Sequence, residues 1–221
     1  EDGISRINMK IRSEVESEIN GLGPEISSEA IKKMFDRLDE LQEGDILVLA
    51  GSIPASMPES MYRDIMKRLA DRKLKIAVDA TKSLLLNVLP FHPFVIKPNN
   101  HELGELFNVK IKSKDQAVEY AKKLQEMGAQ NVIVSMAGEG AVFVGDDGSV
   151  FQSEAPKGTV VNSVGAGDSM VAGFLAGYLG EGDYKEAFKL GVCTGSASAF
   201  SEQLATREQV EAIRNTHHFQ F

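Results

Sequence analysis

The sequence predicts an α/β protein in which a mostly parallel sheet lies between two layers of helices. Short apolar runs alternate with amphipathic stretches along most of the chain, and glycine or polar residues stand directly after those runs. Such alternation is typical of parallel strands joined by crossover helices on both faces of a sheet. The chain has 221 residues, 43% apolar and 25% charged, so it can bury a core without disulfides or metals.

The individual elements follow from local patterns. Apolar runs predict buried strands at residues 45–50, 75–79, 94–97 and 131–135. Stretches with one apolar face predict helices at residues 28–41, 60–70 and 113–127, and either Ser27 or Ser28 can cap the first. A Gly-Asp-Asp-Gly turn predicts a hairpin between residues 141–144 and 149–152. The remaining chain predicts helices over residues 167–180, about 183–200 and from 206 onward.

The first 24 residues have a different pattern. Residues 5–12 alternate polar and apolar side chains, residues 14–19 are mostly polar, and a glycine-rich turn follows. This pattern predicts two half-exposed antiparallel strands. We therefore expect a small β lid over residues 1–24 and an α/β core over residues 25–221, with a homodimer contact through the lid strands as a further hypothesis.

Charge and cysteine content narrow the function classes. Lys and Arg number 24 against 32 Asp and Glu, which gives a net charge of −8 and disfavours nucleic-acid binding, although a few local cations can still hold a small anion. Cys193 is the single cysteine, which excludes an intrachain disulfide and is typical of a reducing cytoplasm. The longest apolar stretch, residues 170–179, is too short to span a bilayer. We expect a cytoplasmic protein with no membrane partner.

The most informative segment is Gly-Ala-Gly-Asp at residues 165–168, directly before a strong helix. Glycine lets backbone N–H groups converge on a ligand oxygen, and a helix N-terminus adds donors and a favourable dipole for an anion. Asp168 then stands in the first helical turn. Aspartate there also complements the helix dipole without any ligand, but the preceding glycines favour an anion site. The small residues after it (Ala172, Gly173, Ala176 and Gly177) predict close packing of this helix on the sheet.

Two other phosphate-binding motifs do not fit. A dinucleotide-binding G-x-G-x-x-G needs glycine at position 170, where Met170 stands, and it belongs early in a fold of this class. A Walker A loop needs Gly-Lys-Ser/Thr, which is absent. An NAD-binding domain is therefore disfavoured.

These segments resemble the PfkB/ribokinase family of carbohydrate kinases. SVGAGD at 163–168 followed by AGFL at 172–175 looks like its C-terminal signature, and KPNNHE at 97–102 resembles its N-x-x-E element. GSIP at 51–54 and SMAGEGA at 135–141 resemble two further loops of the family. The likeness covers essentially the whole chain and is greatest to the bacterial branch that phosphorylates fructose 1-phosphate or tagatose 6-phosphate. It implies a ribokinase-like three-layer α/β/α sandwich and ATP-dependent phosphorylation of a phosphosugar, with fructose 1-phosphate as the first expectation.

The chain also departs from the family. Members carry, before the lid strands, a segment with a Gly-Gly sugar-binding signature and an acidic residue that binds sugar hydroxyls, whereas this chain starts at Glu1. We therefore expect it to correspond to the C-terminal two-thirds of such a kinase, to lack the first strands of the sheet, to expose a sheet edge, and to bind ATP better than sugar. A nucleotide- or sugar-binding protein without catalysis is the alternative.

The resemblance implies roles for single residues in catalysis. Asp168 would be the general base that takes the proton of the attacking hydroxyl, while Gly165, Ala166 and Gly167 would hold the phosphoryl group through their N–H groups. Arg6 and Ser52 would bind the phosphate of the sugar.

On the nucleotide side, the implied ATP-binding residues are Lys97, Asn99, Ser135, Gly138 and Gly140, and Glu102 would bind Mg²⁺ through its waters. A plain helix start at Asn99 and a plain turn at 135–140 remain structural alternatives, as does a solvated strand arginine at Arg6.

A last group of residues carries weaker expectations. Lys10 and Arg12 would add positive charge near the phosphosugar, and Asn162 and Val164 correspond to a monovalent-cation position of some relatives. Cys193 is interpreted as a packing residue, and three histidines as surface residues: His101, His217 and His218.

Overall fold

A computed structural model of the chain describes residues 4–11 and 17–220, without the side chains of residues 10, 18 and 181. Two sheets are present in this part. A two-stranded antiparallel sheet contains β1 (Asn8–Ile11) and β2 (Ser17–Asn20). A six-stranded sheet contains β3 (Ile46–Ala50), β4 (Lys75–Asp79), β5 (Val95–Ile96), β6 (Asn131–Ser135), β7 (Ala141–Val144) and β8 (Val150–Ser153).

Strand order in the large sheet is the same as order along the chain, from β3 at one edge to β8 at the other. β3 to β6 pair in parallel, whereas β6, β7 and β8 pair antiparallel. The predicted mostly parallel sheet and the predicted hairpin are thus both confirmed. The carboxyl ends of the four parallel strands meet at one edge of the sheet, where ligands bind in open α/β folds.

Eight α-helices lie in the described part of the chain: α1 (Ser28–Leu38), α2 (Met61–Leu69), α3 (Lys82–Val88), α4 (Asn100–Phe107), α5 (Lys114–Glu126), α6 (Ala166–Glu181), α7 (Tyr184–Ala199) and α8 (Arg207–Thr216). Side-chain caps fix several starts. Ser27, rather than Ser28, accepts a hydrogen bond from the amide of Ala30, and Thr206 caps α8. The sequence patterns did not predict α3.

Alternate residues of each strand bury into opposite helical layers. In β4, Ile76 and Val78 face the core built with α1 to α5, whereas Ala77 faces the core built with α6 and α7. In β6, Val132 and Val134 face the first core and Ile133 the second. Because side chains alternate along a strand, this division produces the predicted three-layer α/β/α sandwich.

The glycines of α6 correct one expectation. A side chain at Gly173 would stand 2.5 Å from the hydroxyl oxygen of Thr194, and one at Gly177 would stand 2.7 Å from the Cα of Ala187, so both glycines face α7. The sheet side of α6 carries larger residues, Val171 and Phe174. The prediction that small residues let α6 approach the sheet is therefore wrong, because they serve the contact between two helices.

β3 is an open edge in the described part of the chain. It pairs with β4 on one side, and Val48 in its middle is 46% exposed. A central strand of a sheet covered on both faces would bury such a valine. The predicted open sheet edge is confirmed here.

The small antiparallel sheet is called the flap (residues 4–11 and 17–23), and the segment directly after it is bonded to the core. The hydroxyl of Ser56 accepts a hydrogen bond from the amide of Ile26 and donates one to the carbonyl of Pro24. Apolar flap side chains remain exposed, among them Ile7, Met9 and Ile19. The predicted strand positions in residues 12–16, Arg12 included, lie outside the described residues, as does the side chain of Lys10. The division at residue 24 stays a prediction.

None of the helices in the described part combines the length and apolar character that crossing a lipid bilayer requires.

Candidate active site

The predicted site residues meet at the carboxyl ends of the parallel strands. Ala50, the last residue of β3, pairs with Asp79, the last of β4, and the amide of Gly51 donates to the Asp79 carbonyl at 3.0 Å. Asn99, beyond the end of β5, forms an isolated parallel bridge with Ser135, the last residue of β6. The four strand ends thus form one continuous edge, as the sequence predicted.

The N-terminus of α6 begins at Gly165, which has φ of 78°, a backbone conformation that glycine adopts without steric cost. A glycine cap has no side chain, so no side chain of the cap residue bonds the N–H groups of the first turn. Of the three predicted donors, the Ala166 amide already donates to the Ser163 carbonyl at 3.2 Å. Gly167 and Asp168 follow within the first turn, where N–H groups lack intrahelical acceptors. This end of α6 can hold an anion.

α7 packs against the first turn of α6 and holds it in place. The hydroxyl of Ser198 donates to the hydroxyl of Ser169 at 2.8 Å, and both side chains are buried. A side chain at Gly195 would stand 3.0 Å from the carbonyl oxygen of Ala166. Sequence reasoning did not find this pair of serines, because nothing local shows that residues 29 positions apart meet. The arrangement holds Asp168, which is exposed, next to a rigid backbone.

A buried ion pair lies beneath this turn. Lys97 is 6% exposed, and its ammonium nitrogen is 3.2 Å from a carboxylate oxygen of Asp79. A Cβ at Gly167 would stand 3.1 Å from the same nitrogen, so the ammonium lies against the backbone that precedes Asp168. Burial raises the pKa of Asp79 above its ordinary value; the Lys97 ammonium opposes that shift, and the charges of Asp168 and Glu102 add to it. The sequence placed Asp79 at a strand end but gave it no role.

On the predicted nucleotide side, Asn99 and Glu102 form a capping box. The side-chain oxygen of Asn99 accepts from the amides of His101 and Glu102 at 2.9 Å, and a carboxylate oxygen of Glu102 accepts from the Asn99 amide at 2.8 Å. The structural alternative for this segment is therefore present. It leaves the second carboxylate oxygen of Glu102 outside the box.

The two glycines that follow β6 differ in their surroundings. Gly140 has φ of 90°, and a side chain there would collide with the carbonyl oxygen of Ser153. Gly138 has open space where a side chain would be. Packing alone therefore requires glycine at position 140, whereas Gly138 borders open space that a ligand can occupy. An ATP contact at either glycine stays a prediction.

The charges of the site suit a magnesium-bound nucleotide. The Asp79 carboxylate pairs with the Lys97 ammonium, and the negative charges of Glu102 and Asp168 act on the same carboxylate. Carboxylate oxygens are the donors that Mg²⁺ prefers. Within the described residues, however, no group of three or more acidic, histidine or cysteine side chains is close enough to hold a metal alone. Mg²⁺ would need phosphate oxygens to complete its ligands, as in kinases.

On the predicted sugar side, a hydrogen bond joins Arg6 of the flap to Ser52 of the core. The Arg6 guanidinium donates to the Ser52 hydroxyl at 2.8 Å and to the side-chain oxygen of Asn8 at 3.0 Å. The Tyr62 hydroxyl donates to the carbonyl of Ala50 at 2.8 Å and steadies the loop that carries Ser52. Sequence reasoning missed Asn8 and Tyr62. A guanidinium has five donors, so Arg6 can keep both contacts and still bind a phosphate.

The remaining predicted residues have structural surroundings. The side-chain oxygen of Asn162 accepts from the Val164 amide at 3.1 Å, and its NH₂ group donates to the Glu202 carbonyl. A cation site there stays a prediction. The Cys193 thiol is buried, which raises its pKa to about 11 and agrees with a packing role.

The three histidines predicted at the surface differ in their exposure. His101 and His218 are exposed, as predicted. His217 is half-buried, with its Nε2 atom 3.3 Å from the Ser153 hydroxyl oxygen, so it lies at the surface but also makes a contact that the sequence did not predict.

A three-layer α/β/α sandwich, an open helix N-terminus with a first-turn carboxylate and a buried lysine at the strand ends are typical of a kinase that acts on small molecules. The family model for pfkB family carbohydrate kinases matches residues 4–210. The chain belongs to this family.

Individual relatives agree over nearly the whole chain. The chain is 49% identical over 211 residues to a 1-phosphofructokinase of Bacillus subtilis, which covers 96% of this chain and 69% of that protein. It is 34% identical to a D-tagatose-1-phosphate kinase of Bacillus licheniformis, over 92% of this chain and 67% of that protein. A crystal structure described as a phosphofructokinase from Staphylococcus aureus has a TM-score of 0.86 and 39% identity, over 96% of this chain and 69% of that one. The chain thus spans about two-thirds of these relatives.

Proposed function

We propose that this kinase transfers the γ-phosphoryl group of ATP to a hydroxyl of fructose 1-phosphate and forms fructose 1,6-bisphosphate. The observation that carries the proposal is the exposed carboxylate of Asp168 in the first turn of α6, with the Lys97 ammonium against the neighbouring Gly167. The 49% identical relative named 1-phosphofructokinase supports the choice of acceptor.

In the proposed reaction, the sugar hydroxyl oxygen bonds to the γ-phosphorus while the bond from that phosphorus to the bridging oxygen of ADP breaks. The hydroxyl proton passes to the carboxylate of Asp168. The first-turn N–H groups at Gly167 and Asp168, together with the Lys97 ammonium, stabilise the charge on the transferred group. Arg6 and Ser52 hold the phosphate already on the sugar, which turns the free hydroxyl toward α6.

The nucleotide is proposed to lie across Asn99, Ser135 and Gly138, at the ends of β5 and β6. Glu102 would hold Mg²⁺ through water, with the carboxylate oxygen that the capping box leaves outside it. When bound, Mg²⁺ neutralises charge on the β- and γ-phosphates.

A panel of acceptors tests this function. The full-length gene product, with any residues that precede Glu1, is incubated with ATP, Mg²⁺ and one acceptor at a time, and ADP release is measured. We expect fructose 1-phosphate to have the highest kcat/KM, by about tenfold or more over tagatose 1-phosphate, tagatose 6-phosphate and fructose 6-phosphate.

The second candidate acceptor is tagatose 1-phosphate, because the tagatose kinase among the relatives has the 1-phosphate in its name, whereas the sequence predicted the 6-phosphate. A higher kcat/KM with that sugar would replace fructose 1-phosphate in the proposal. ATP binding by calorimetry without turnover of any acceptor would favour the non-catalytic alternative.

The flap suggests a homodimer. Met9 and Ile19 stand opposite each other in its two strands, and both are exposed, as is Ile7 two residues before Met9. A contiguous exposed apolar face of this kind is typical of an interaction site.

Light scattering at micromolar concentration should therefore give a dimer mass for the wild type and a monomer mass for Ile19→Lys. The matched control Val150→Lys, on the exposed edge strand β8, should remain dimeric. A monomeric wild type would refute the dimer.

A further inference from the structure

Lys97 has a role in the proposed reaction, but its ion-pair partner Asp79 has none so far. Lys97 follows β5 and is 6% exposed, so its ammonium has little access to water. A buried charge without a partner is costly, and Asp79 is the partner, at 3.2 Å. The pair joins the carboxyl ends of two adjacent strands, β4 and β5.

The ammonium lies where chemistry is proposed to occur. A side chain at Gly167 would stand 3.1 Å from the ammonium nitrogen of Lys97, 3.3 Å from its Cε and 3.9 Å from a carboxylate oxygen of Asp79. The Lys97 ammonium and the Asp79 carboxylate therefore both lie next to Gly167, in the first turn of α6.

Asp79 is placed to act through Lys97 rather than on the substrate. Its side chain is 19% exposed, whereas Asp168 is exposed at the surface of the site. Its backbone is also held, because its carbonyl accepts the amide of Gly51 at 3.0 Å. Of the two carboxylates, Asp168 can reach a hydroxyl above the helix end, and Asp79 lies below it against the lysine.

We propose that Asp79 is a positioning residue, whose carboxylate holds the Lys97 ammonium against the backbone of Gly167 so that it faces the phosphoryl group in transfer. The inference rests on the proposed function. A lysine side chain has four rotatable bonds, and a fixed carboxylate restricts it to one arrangement before the substrate arrives. In Asp79→Asn, the Lys97 side chain would lose the carboxylate that fixes its position.

The first test is Asp79→Asn in the full-length gene product. We expect kcat to fall about 50-fold while the phosphosugar KM stays within about threefold, because the change affects the transferred group and not the sugar. Binding of a non-hydrolysable ATP analogue should weaken about tenfold, and binding of ADP should change less than about twofold, since ADP lacks the γ-phosphoryl group. The matched control is Asp39→Asn, which breaks an ion pair with Arg68 at the end of α1 and should leave all these values unchanged.

A double-mutant cycle separates positioning from independent action. If Asp79 acts through Lys97, then Asp79→Asn combined with Lys97→Met should have the same kcat as Lys97→Met alone. The two lysine variants also leave no buried ammonium without a partner, so they decide the question even if Asp79→Asn alone fails to fold.

Two results would overturn the inference. One is a kcat of Asp79→Asn within about twofold of wild type in a folded protein. The other is a further fall in kcat of about tenfold or more when Asp79→Asn is added to Lys97→Met. Absence of kinase activity in the wild type would instead refute the proposed function, and the comparison of the ATP analogue with ADP would still test Asp79.

Discussion

Replacing Asp168 by asparagine is expected to lower kcat by about 10³-fold or more while the protein stays folded and ATP affinity changes little. Asparagine keeps the size of the side chain at the exposed first turn of α6, but its amide cannot take the proton of a hydroxyl. The helix N-terminus and Lys97 would still bind the phosphates. The measurement is steady-state ADP release with fructose 1-phosphate, together with the melting temperature and calorimetry with ATP.

A matched control exists at the next helix. Asp183 caps α7 by accepting from the Lys185 amide at 2.8 Å, and asparagine caps helices equally well. Asp183→Asn should therefore keep both stability and kcat. If the kcat of Asp168→Asn in the same assay lay within about tenfold of the wild-type value, Asp168 would not be the general base.

Replacing Arg6 by alanine is expected to raise the KM for the phosphosugar about 100-fold and to change the KM for ATP by less than about twofold. The reason is that Arg6 bonds Ser52 across the gap between flap and core and offers a planar fork to a phosphate. Arg6→Lys should recover part of the affinity, since it keeps the charge without the fork. The readout is initial rate against sugar concentration at saturating ATP.

An acceptor without a phosphate sharpens this test. With free fructose, wild type and Arg6→Ala should be equally poor, because neither has a sugar phosphate to bind. Arg37→Ala on α1, where the arginine pairs with Glu40 in solvent, is the control and should match wild type with both sugars. An equal loss for Arg6→Ala with both sugars would show that the arginine only supports the flap.

Much of the fold could be predicted because its signals are local. The runs at 75–79 and 131–135 are strands at those same residues, since β-branched and apolar side chains alternate between two buried faces there. α3 was missed because Leu84 to Leu86 form a continuous apolar run without helical spacing, in a helix of seven residues. The direction of Gly173 was wrong because a glycine pattern shows close approach but not which neighbour approaches.

The parts of the site that depend on local sequence could also be predicted. The strand ends were identified in order, since residues following parallel strands must share one edge. The partner of Lys97 was not, because Asp79 is 18 residues earlier and only the pairing of β4 with β5 brings the two together. The burial of Lys97 likewise results from tertiary packing, and residues 97–102 carry no pattern that predicts it.

The strand order of the large sheet has a consequence for how the protein folds. Because each strand from β4 to β8 pairs with the strand made just before it, the sheet needs few contacts between distant parts of the chain, which favours rapid assembly during synthesis. α6 and α7 emerge after all six strands of this sheet, and their mutual packing sets the first turn that carries Gly167 and Asp168. The sheet is therefore expected to form before its reactive edge is complete, so that the nascent chain acquires catalytic competence only after strands β3 to β8 have been made.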